Sequence, residues 1–219
     1  MPVYALDERL LFPHPSFAEP DGLLAMGGDL SPERLLLAYR HGIFPWFDGD
    51  MPLWWSPDPR FVLFPDELRE SKSMLQVRKK SLFTFTRNKA FPDVIRHCKS
   101  IPRDEQDGTW ITPGMEAAYT RLHTMGHAQS AEAWQDGRLV GGLYGLRIGT
   151  VFCGESMFSL VSNASKFAFI QLVRELQAEG VILIDCQVHT AHLESLGAVM
   201  IPRQTFLQIL EQGLSGQNG

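Results

Sequence analysis

Between Thr150 and Val188 the chain changes its periodicity twice, and this succession constrains the fold more than any other stretch. TVFCGESMF reads as a strand interrupted at Gly154 and Glu155. A polar turn at Ser162 and Asn163 then caps a helix from Ala164, in which Phe167, Ile170, Val173 and Leu176 recur at helical spacing up to a stop at Gly180. ILIDCQV, from Ile182 to Val188, follows as an apolar strand. Strand, helix, strand is a βαβ unit, and ligands of such units gather beyond the carboxyl ends of the strands.

The second strand carries an acid and an amide in an otherwise apolar run. Successive strand side chains alternate faces, so Asp185 and Gln187 are expected to emerge on one side. Burying both is costly unless they are hydrogen-bonded or used by a ligand. The pair is therefore either satisfied by neighbouring backbone or part of a site. The βαβ geometry favours convergence of Glu155, Asp185 and Gln187 at the strand ends.

Around this unit the chain divides into two parts. Residues 1–65 are rich in Pro, Gly and aromatics, a small loop-rich α+β N-terminal domain with a helix over Pro32 to Arg40, capped by Ser31 and ended by Gly42. Residues 66–219 form the larger domain. A helix after Asp66 opens it, followed by strand Leu82 to Thr86, helices Ala90 to Lys99 and Pro113 to Met125, and three strands, Ala128 to Trp134, Leu139 to Arg147 and Thr150 to Glu155. Asp136-Gly137 and Gly149 mark hairpins between those strands. The βαβ helix runs to Glu179, and a short helix (Thr190 to Leu196) and a last strand (Val199 to Pro202) close the pattern. The fold class is α/β (α+β) with a central mixed sheet.

With 219 residues, 44% of them hydrophobic, the chain can bury a real core. MPVYALDERLLFPHP lacks the basic and apolar regions of a signal peptide, and no run approaches the ~18 apolar residues of a membrane span. The three cysteines, Cys98, Cys153 and Cys186, are odd in number and suit a reducing cytoplasm. A net charge of −5 does not advertise a nucleic-acid partner. Lys72, Arg78, Lys79, Lys80, Arg87 and Lys89 nevertheless crowd one stretch, as a solvated face or a phosphate-binding surface.

The order of elements resembles the GNAT acyltransferase superfamily, including the Leu196-Gly197 turn before the last strand. Acetyl-CoA members of that superfamily wrap pyrophosphate with a Gly-rich loop at the helix N-terminus. SLVSNASK stands at that position here without a glycine, which argues against acetyl-CoA as donor.

EPDGLLAMGGDLSPERLLLAYRHGIFPWF, LWWSPDPR, GTWIT, GGLYG, FCGESMFS, NASK and LIDCQ, with His192 and SLGA downstream, resemble the leucyl/phenylalanyl-tRNA–protein transferases over nearly the whole chain. The resemblance implies a cytoplasmic bacterial enzyme, expected to be a monomer, that moves Leu, Phe or Met from aminoacyl-tRNA to the α-amine of proteins beginning with Arg or Lys and marks them for degradation by the N-end rule. It implies no metal and no cofactor. It also associates Tyr39, Trp46 and Trp110 with stacking on the 3′-terminal adenosine, where an aromatic face contributes ~1–3 kcal/mol per base. The basic stretch, with Lys72, Arg78, Lys79 and Lys80 as candidate contacts to the tRNA backbone, departs from the expected pattern at Leu75 and Gln76, where more basic side chains would strengthen tRNA binding.

The chemistry is consistent with that resemblance. An aminoacyl ester is already activated, so amine attack needs positioning and charge stabilisation more than a covalent enzyme intermediate. In this reading Asp185 and Gln187 are the candidate catalytic pair: Asp185 fixes and polarises Gln187, and Gln187 orients the amine, whose proton leaves on the ribose oxygen. Glu155 or Asp185 supplies the carboxylate for the acceptor cation, and the sequence does not divide these roles. Leu143, Phe152, Met157, Phe169 and Leu172 are candidates for the donor side-chain pocket, or ordinary core. Trp54 and Trp55 suit interdomain core. His123 and His127 lack the acid of a metalloprotease helix, and Gly27-Gly28 suits a turn. Two rival classes share some features: a Fem-type aminoacyl transferase and a non-catalytic reader of N-terminal Arg or Lys.

Overall fold

The computed structural model describes residues 3–101 and 111–215. Its strands are β1 (Tyr4–Leu6), β2 (Leu23–Gly27), β3 (Phe44–Pro45), β4 (Leu53–Trp55), β5 (Arg60–Leu63), β6 (Thr84–Arg87), β7 (Ala128–Gln135), β8 (Arg138–Ile148), β9 (Val151–Ser159), β10 (Leu183–Gln187) and β11 (Val199–Ile201). The helices are α1 (Pro32–Arg40), α2 (Lys72–Lys79), α3 (Phe91–Ser100), α4 (Pro113–Thr124), α5 (Ala164–Ala178), α6 (Ala191–Glu194) and α7 (Arg203–Ser215). None of them is long and apolar enough to cross a membrane.

Local sequence explains the elements that frame the site. Ser31 accepts a hydrogen bond from the Arg34 amide at 3.3 Å and Pro32 fills the first turn, so α1 begins where a capping hydroxyl meets a preset φ. Asp136 and Gly137 both have positive φ, 50° and 73°, the two-residue turn whose twist matches paired strands, and β7 and β8 pair antiparallel on either side of it. β8 and β9 are likewise antiparallel, as the hairpin signals implied.

A seven-stranded sheet runs in the order β11-β5-β10-β9-β8-β7-β6, and a four-stranded sheet in the order β1-β2-β4-β3. In the large sheet β10 and β9 are parallel, joined through α5, while the other neighbours are antiparallel. The class is the mixed α/β arrangement expected. Two apolar clusters form the core. One joins α1, α3, α4, α7 and the small sheet to the large sheet through Trp54, Phe91, Tyr119, Tyr144 and Phe206. The other packs α2 and α5 on the opposite side through Met74, Phe152, Phe169 and Leu172.

Four features depart from the sequence expectation. β5 pairs with both β10 and β11, so Arg60–Leu63 belongs to the large sheet although it lies before residue 65. Four residues are too few to show a period, and all four are buried. The small sheet fits the α+β character expected of the N-terminal part, but its individual strands, two to five residues long, were not placed. α7 was missed too, although it buries Phe206, Leu210 and Gly213. Finally, Gly154 and Glu155 do not interrupt β9, which runs on through a bulge to Ser159.

Candidate active site

β9 and β10 run together for three residue pairs, ending at Asp185 opposite Cys153, and then part. Each strand has a bulge at this point. On β9, Gly154 pairs with Gly145 and Ser156 with Tyr144, which leaves Glu155 as the extra residue. On β10, Asp185 pairs with Val62 and Gln187 with Phe61, leaving Cys186 as the extra one. A bulge re-aims side chains that strict alternation would keep apart, and the two bulges turn Glu155 and Gln187 toward each other. Gln187 Nε2 donates to Glu155 Oε1 at 3.2 Å. Gly145 permits this packing, because a Cβ there would lie 2.2 Å from the Cys153 carbonyl oxygen and 2.7 Å from the Phe152 ring.

Gln187 lies in the left-handed region, with φ of 58°. Non-glycine residues reach it at a cost and hold it only where the surroundings fix them. Here its backbone N–H donates to Asp185 Oδ1 at 3.0 Å. The Asp185 carboxylate is itself gripped by Arg60, whose Nε and Nη2 donate to Oδ1 and Oδ2, both at 2.7 Å. Both side chains are closed to solvent. The two-point fork between guanidinium and carboxylate is the strongest of the common charge-assisted geometries.

A chain of hydroxyls supports Glu155 from beneath. Tyr119 Oη donates to Glu155 Oε2 at 3.0 Å, and Tyr39 and Tyr119 hydroxyls hydrogen-bond each other. Burial pushes the Glu155 carboxyl up to about 8, while the hydrogen bonds of Tyr39 and Tyr119 oppose the rise, the Asp185 charge adds to it and Arg60 offsets it. Burial likewise raises both tyrosines well above the usual phenol range. The Cys153 and Cys186 thiols are also raised by burial, so neither offers the thiolate that a covalent mechanism needs.

The structure thus brings Glu155, Asp185 and Gln187 together at the strand ends. It also separates their environments: Asp185 is committed to Arg60, whereas Glu155 is half-buried among neutral donors. Tyr39 is 1% exposed and its hydroxyl is engaged, so it lies beneath the site and presents no open ring face. Trp46 is half-buried against Trp55, with ring centroids 5.7 Å apart. Trp110 lies outside the described residues. Trp54 is core within the small sheet, its Nε1 donating to the Gly27 carbonyl at 2.9 Å.

Leu143, Phe152, Phe169 and Leu172 are buried in the α5-side cluster, with Met157 packed against it. Leu143 faces Met157 across β8 and β9, and Phe152 faces Ile184 across β9 and β10. α2 buries Met74 and Val77 and leaves Lys72, Arg78, Lys79 and Lys80 exposed, although Arg78 pairs with Glu70 at 3.3 Å. His123 stacks on Phe91 with its Nδ1 on the Ala128 carbonyl, a structural role, and no group of three metal-ligating side chains occurs among the described residues. Gly27 and Gly28 take the positive φ values of a turn.

Sequence reasoning missed two residues of the site. Arg60 lies in the motif LWWSPDPR, yet nothing local says that it faces an acid 125 positions away. Tyr119 falls on the buried stripe of α4 with Met115 and Leu122, where it reads as ordinary core.

Comparison with known proteins now bears on these features. Residues 62–211 match the family model described as leucyl/phenylalanyl-tRNA protein transferase, and residues 28–58 match the model of its N-terminal domain. A leucyl/phenylalanyl-tRNA–protein transferase of Syntrophobacter fumaroxidans is 56% identical over 98% of this chain and 92% of its own length. One of Flavobacterium johnsoniae is 56% identical over 95% of this chain and 99% of its own. A GCN5-related N-acetyltransferase from Kribbella flavida superposes with a TM-score of 0.40 at 11% identity over 76% of this chain and 59% of that one, too slight a likeness to bear on function. The class is thereby defined: the chain is an aminoacyltransferase. Within that class it belongs to the leucyl/phenylalanyl-tRNA protein transferase family.

Proposed function

We propose that the chain transfers Leu, Phe or Met from aminoacyl-tRNA to the α-amine of proteins beginning with Arg or Lys, with Gln187 and Glu155 at the reacting centre. The observation that carries this reading is the Gln187–Glu155 hydrogen bond where β9 and β10 part. Because Nε2 donates to Glu155, the carbonyl Oε1 of Gln187 is the end left to accept from an incoming amine. The amine nitrogen attacks the ester carbonyl carbon, a C–N bond forms, the C–O bond to the ribose breaks, and the amine proton departs on the ribose oxygen. The ester carries its own activation, so this step draws on no cofactor.

Glu155, rather than Asp185, is the carboxylate for the acceptor's cationic side chain, since Asp185 already satisfies Arg60. A guanidinium or ammonium arriving beside Glu155 replaces the missing counter-charge and favours its ionised form, the carboxyl proton being released to solvent. The apolar cluster of Leu143, Phe152, Met157, Phe169 and Leu172 receives the donor side chain, Trp46 and Trp110 the terminal adenosine, and the cations of α2 the tRNA backbone. Tyr39 serves through the hydroxyl chain to Glu155. The product, a protein with a new N-terminal Leu, Phe or Met, enters N-end-rule degradation in the cytoplasm, and the enzyme works as a monomer.

The test is transfer of radiolabelled Leu from Leu-tRNA to a peptide beginning with Arg. Labelled peptide is expected. Binding of the peptide without labelling would instead identify a non-catalytic reader of basic N-termini.

A further inference from the structure

Arg60 is wholly buried, which is costly for a guanidinium, and the structure surrounds it with an unusually complete set of partners. Two of its nitrogens hold both oxygens of Asp185, and Nη1 donates to the Gly42 carbonyl at 3.2 Å. Its plane is enclosed by the rings of Phe44 and Phe206, with Cζ 4.8 and 4.6 Å from their centroids. Phe44 comes from the small sheet and Phe206 from α7, so three separate parts of the chain fix this one side chain.

What the arrangement immobilises is Asp185, and through it the backbone of Gln187. Asp185 Oδ1 accepts from Arg60 Nε at 2.7 Å and from the Gln187 N–H at 3.0 Å. That N–H belongs to a residue with φ of 58°, just past a bulge, where a strand would otherwise relax to extended geometry. A side chain aimed from such a backbone is only as well placed as the contact that holds the strain.

We propose that Arg60 is a positioning residue for the transfer reaction: it orients Asp185 so that the carboxylate clamps the Gln187 N–H and thereby aims the Gln187 amide at the incoming amine. Asp185 acts on Gln187 through the backbone, and no proton passes through it. The inference rests on the placement of Gln187 at the reacting centre given above.

The test uses the full chain with Leu-tRNA and an Arg-initiated peptide, comparing Arg60→Lys, Gln187→Ala and the double variant. Lys keeps the charge and loses the fork. Arg60→Lys is expected to lower kcat roughly ten- to a hundredfold, the scale of a small misplacement at a reacting centre. The KM for Leu-tRNA should not change, because no ground-state donor contact is lost. In the Gln187→Ala background the same substitution should cost nothing further in kcat, since residues acting through one group are not additive. A merely structural Arg60 would instead lower kcat by the same factor in both backgrounds, which overturns the proposal. Unchanged kcat in Arg60→Lys, with loss in Gln187→Ala, overturns it too and leaves the reading of Gln187 standing. Full turnover in Gln187→Ala alone sinks that reading itself.

A second measurement is independent of activity: in 15N-labelled protein the Gln187 amide should shift and exchange faster with solvent in Arg60→Lys, and an unmoved, equally protected amide overturns the clamp. Should Arg60→Lys fail to fold, Arg60→Gln/Asp185→Asn decides by the same comparisons, because it removes both charges and leaves none uncompensated.

Discussion

Gln187 and Glu155, 32 positions apart, are joined at 3.2 Å across the gap that opens between β9 and β10. The contact depends on two bulges, one in each strand, and neither residue would reach the other along regular strands. The arrangement proposed for transfer therefore depends on local irregularity.

Replacing Gln187 by Ala should lower kcat by about a hundredfold or more while the fold survives, since the lost group is proposed to orient the amine. Asp185→Asn should behave differently. It leaves the Arg60 guanidinium without its counter-charge in a closed site, so a stability loss of about 3–5 kcal/mol should accompany the loss of transfer. Denaturant unfolding separates the two: an Asp185→Asn protein as stable as wild type would contradict the pairing.

Glu155 predicts a pH dependence of stability. Its folded value, about 8, lies above the ordinary 4.5, so between these limits the folded state holds a proton that the unfolded state has released. Stability attributable to this group is full at low pH, falls as pH rises from about 4.5 to 8, and levels off above 8. Glu155→Gln should flatten that slope and leave the protein more stable than wild type near pH 8. Melting temperatures of the two proteins across the range check the sign.

The same substitution should raise the KM for an Arg-initiated peptide by roughly tenfold or more, the scale of a hydrogen bond to a charged group. The KM for Leu-tRNA should hold. Equal losses for both substrates would move Glu155 out of the acceptor site.

Phe152→Ala and Phe169→Ala should shift donor preference from Leu toward Phe, because apolar pockets discriminate by size at ~1–3 kcal/mol per methylene-scale change. Both rings are at most 2% exposed, so a loss of about 3–5 kcal/mol in stability is expected alongside. The ratio of transfer efficiencies for Leu-tRNA and Phe-tRNA decides the assignment. A constant ratio in a folded variant makes the residue core alone.

Neutralising Lys79 and Lys80, which α2 leaves exposed, should weaken tRNA binding and flatten its salt dependence, each lost phosphate contact reducing the logarithmic slope by about 0.7–0.9. An unaltered slope would return α2 to a solvated face.

The large sheet was legible because its central strands are long and its turns carry chemical marks, such as Asp136-Gly137. The β5 strand was not, because four residues buried on both faces show no alternation. The candidate acid and amide were legible as polar residues in an apolar run, but their division of labour was not. Alternation places Asp185 and Gln187 on one face as equals, whereas the bulge gives one to Arg60 and the other to Glu155. Arg60 and Tyr119 act at long sequence separation, where local pattern carries no information about partners.

The roof over Arg60 has a consequence for how the enzyme comes into being. Phe206, which covers the guanidinium together with Phe44, belongs to α7, the last helix of the described chain, 21 positions after Asp185. Until that helix docks, the ion pair is bathed in water and competes with it for every hydrogen bond. The dry enclosure of the ion pair is therefore completed only by the docking of α7, so a released chain truncated before α7 is expected to hold the Gln187 amide slackly and to lose transfer from aminoacyl-tRNA.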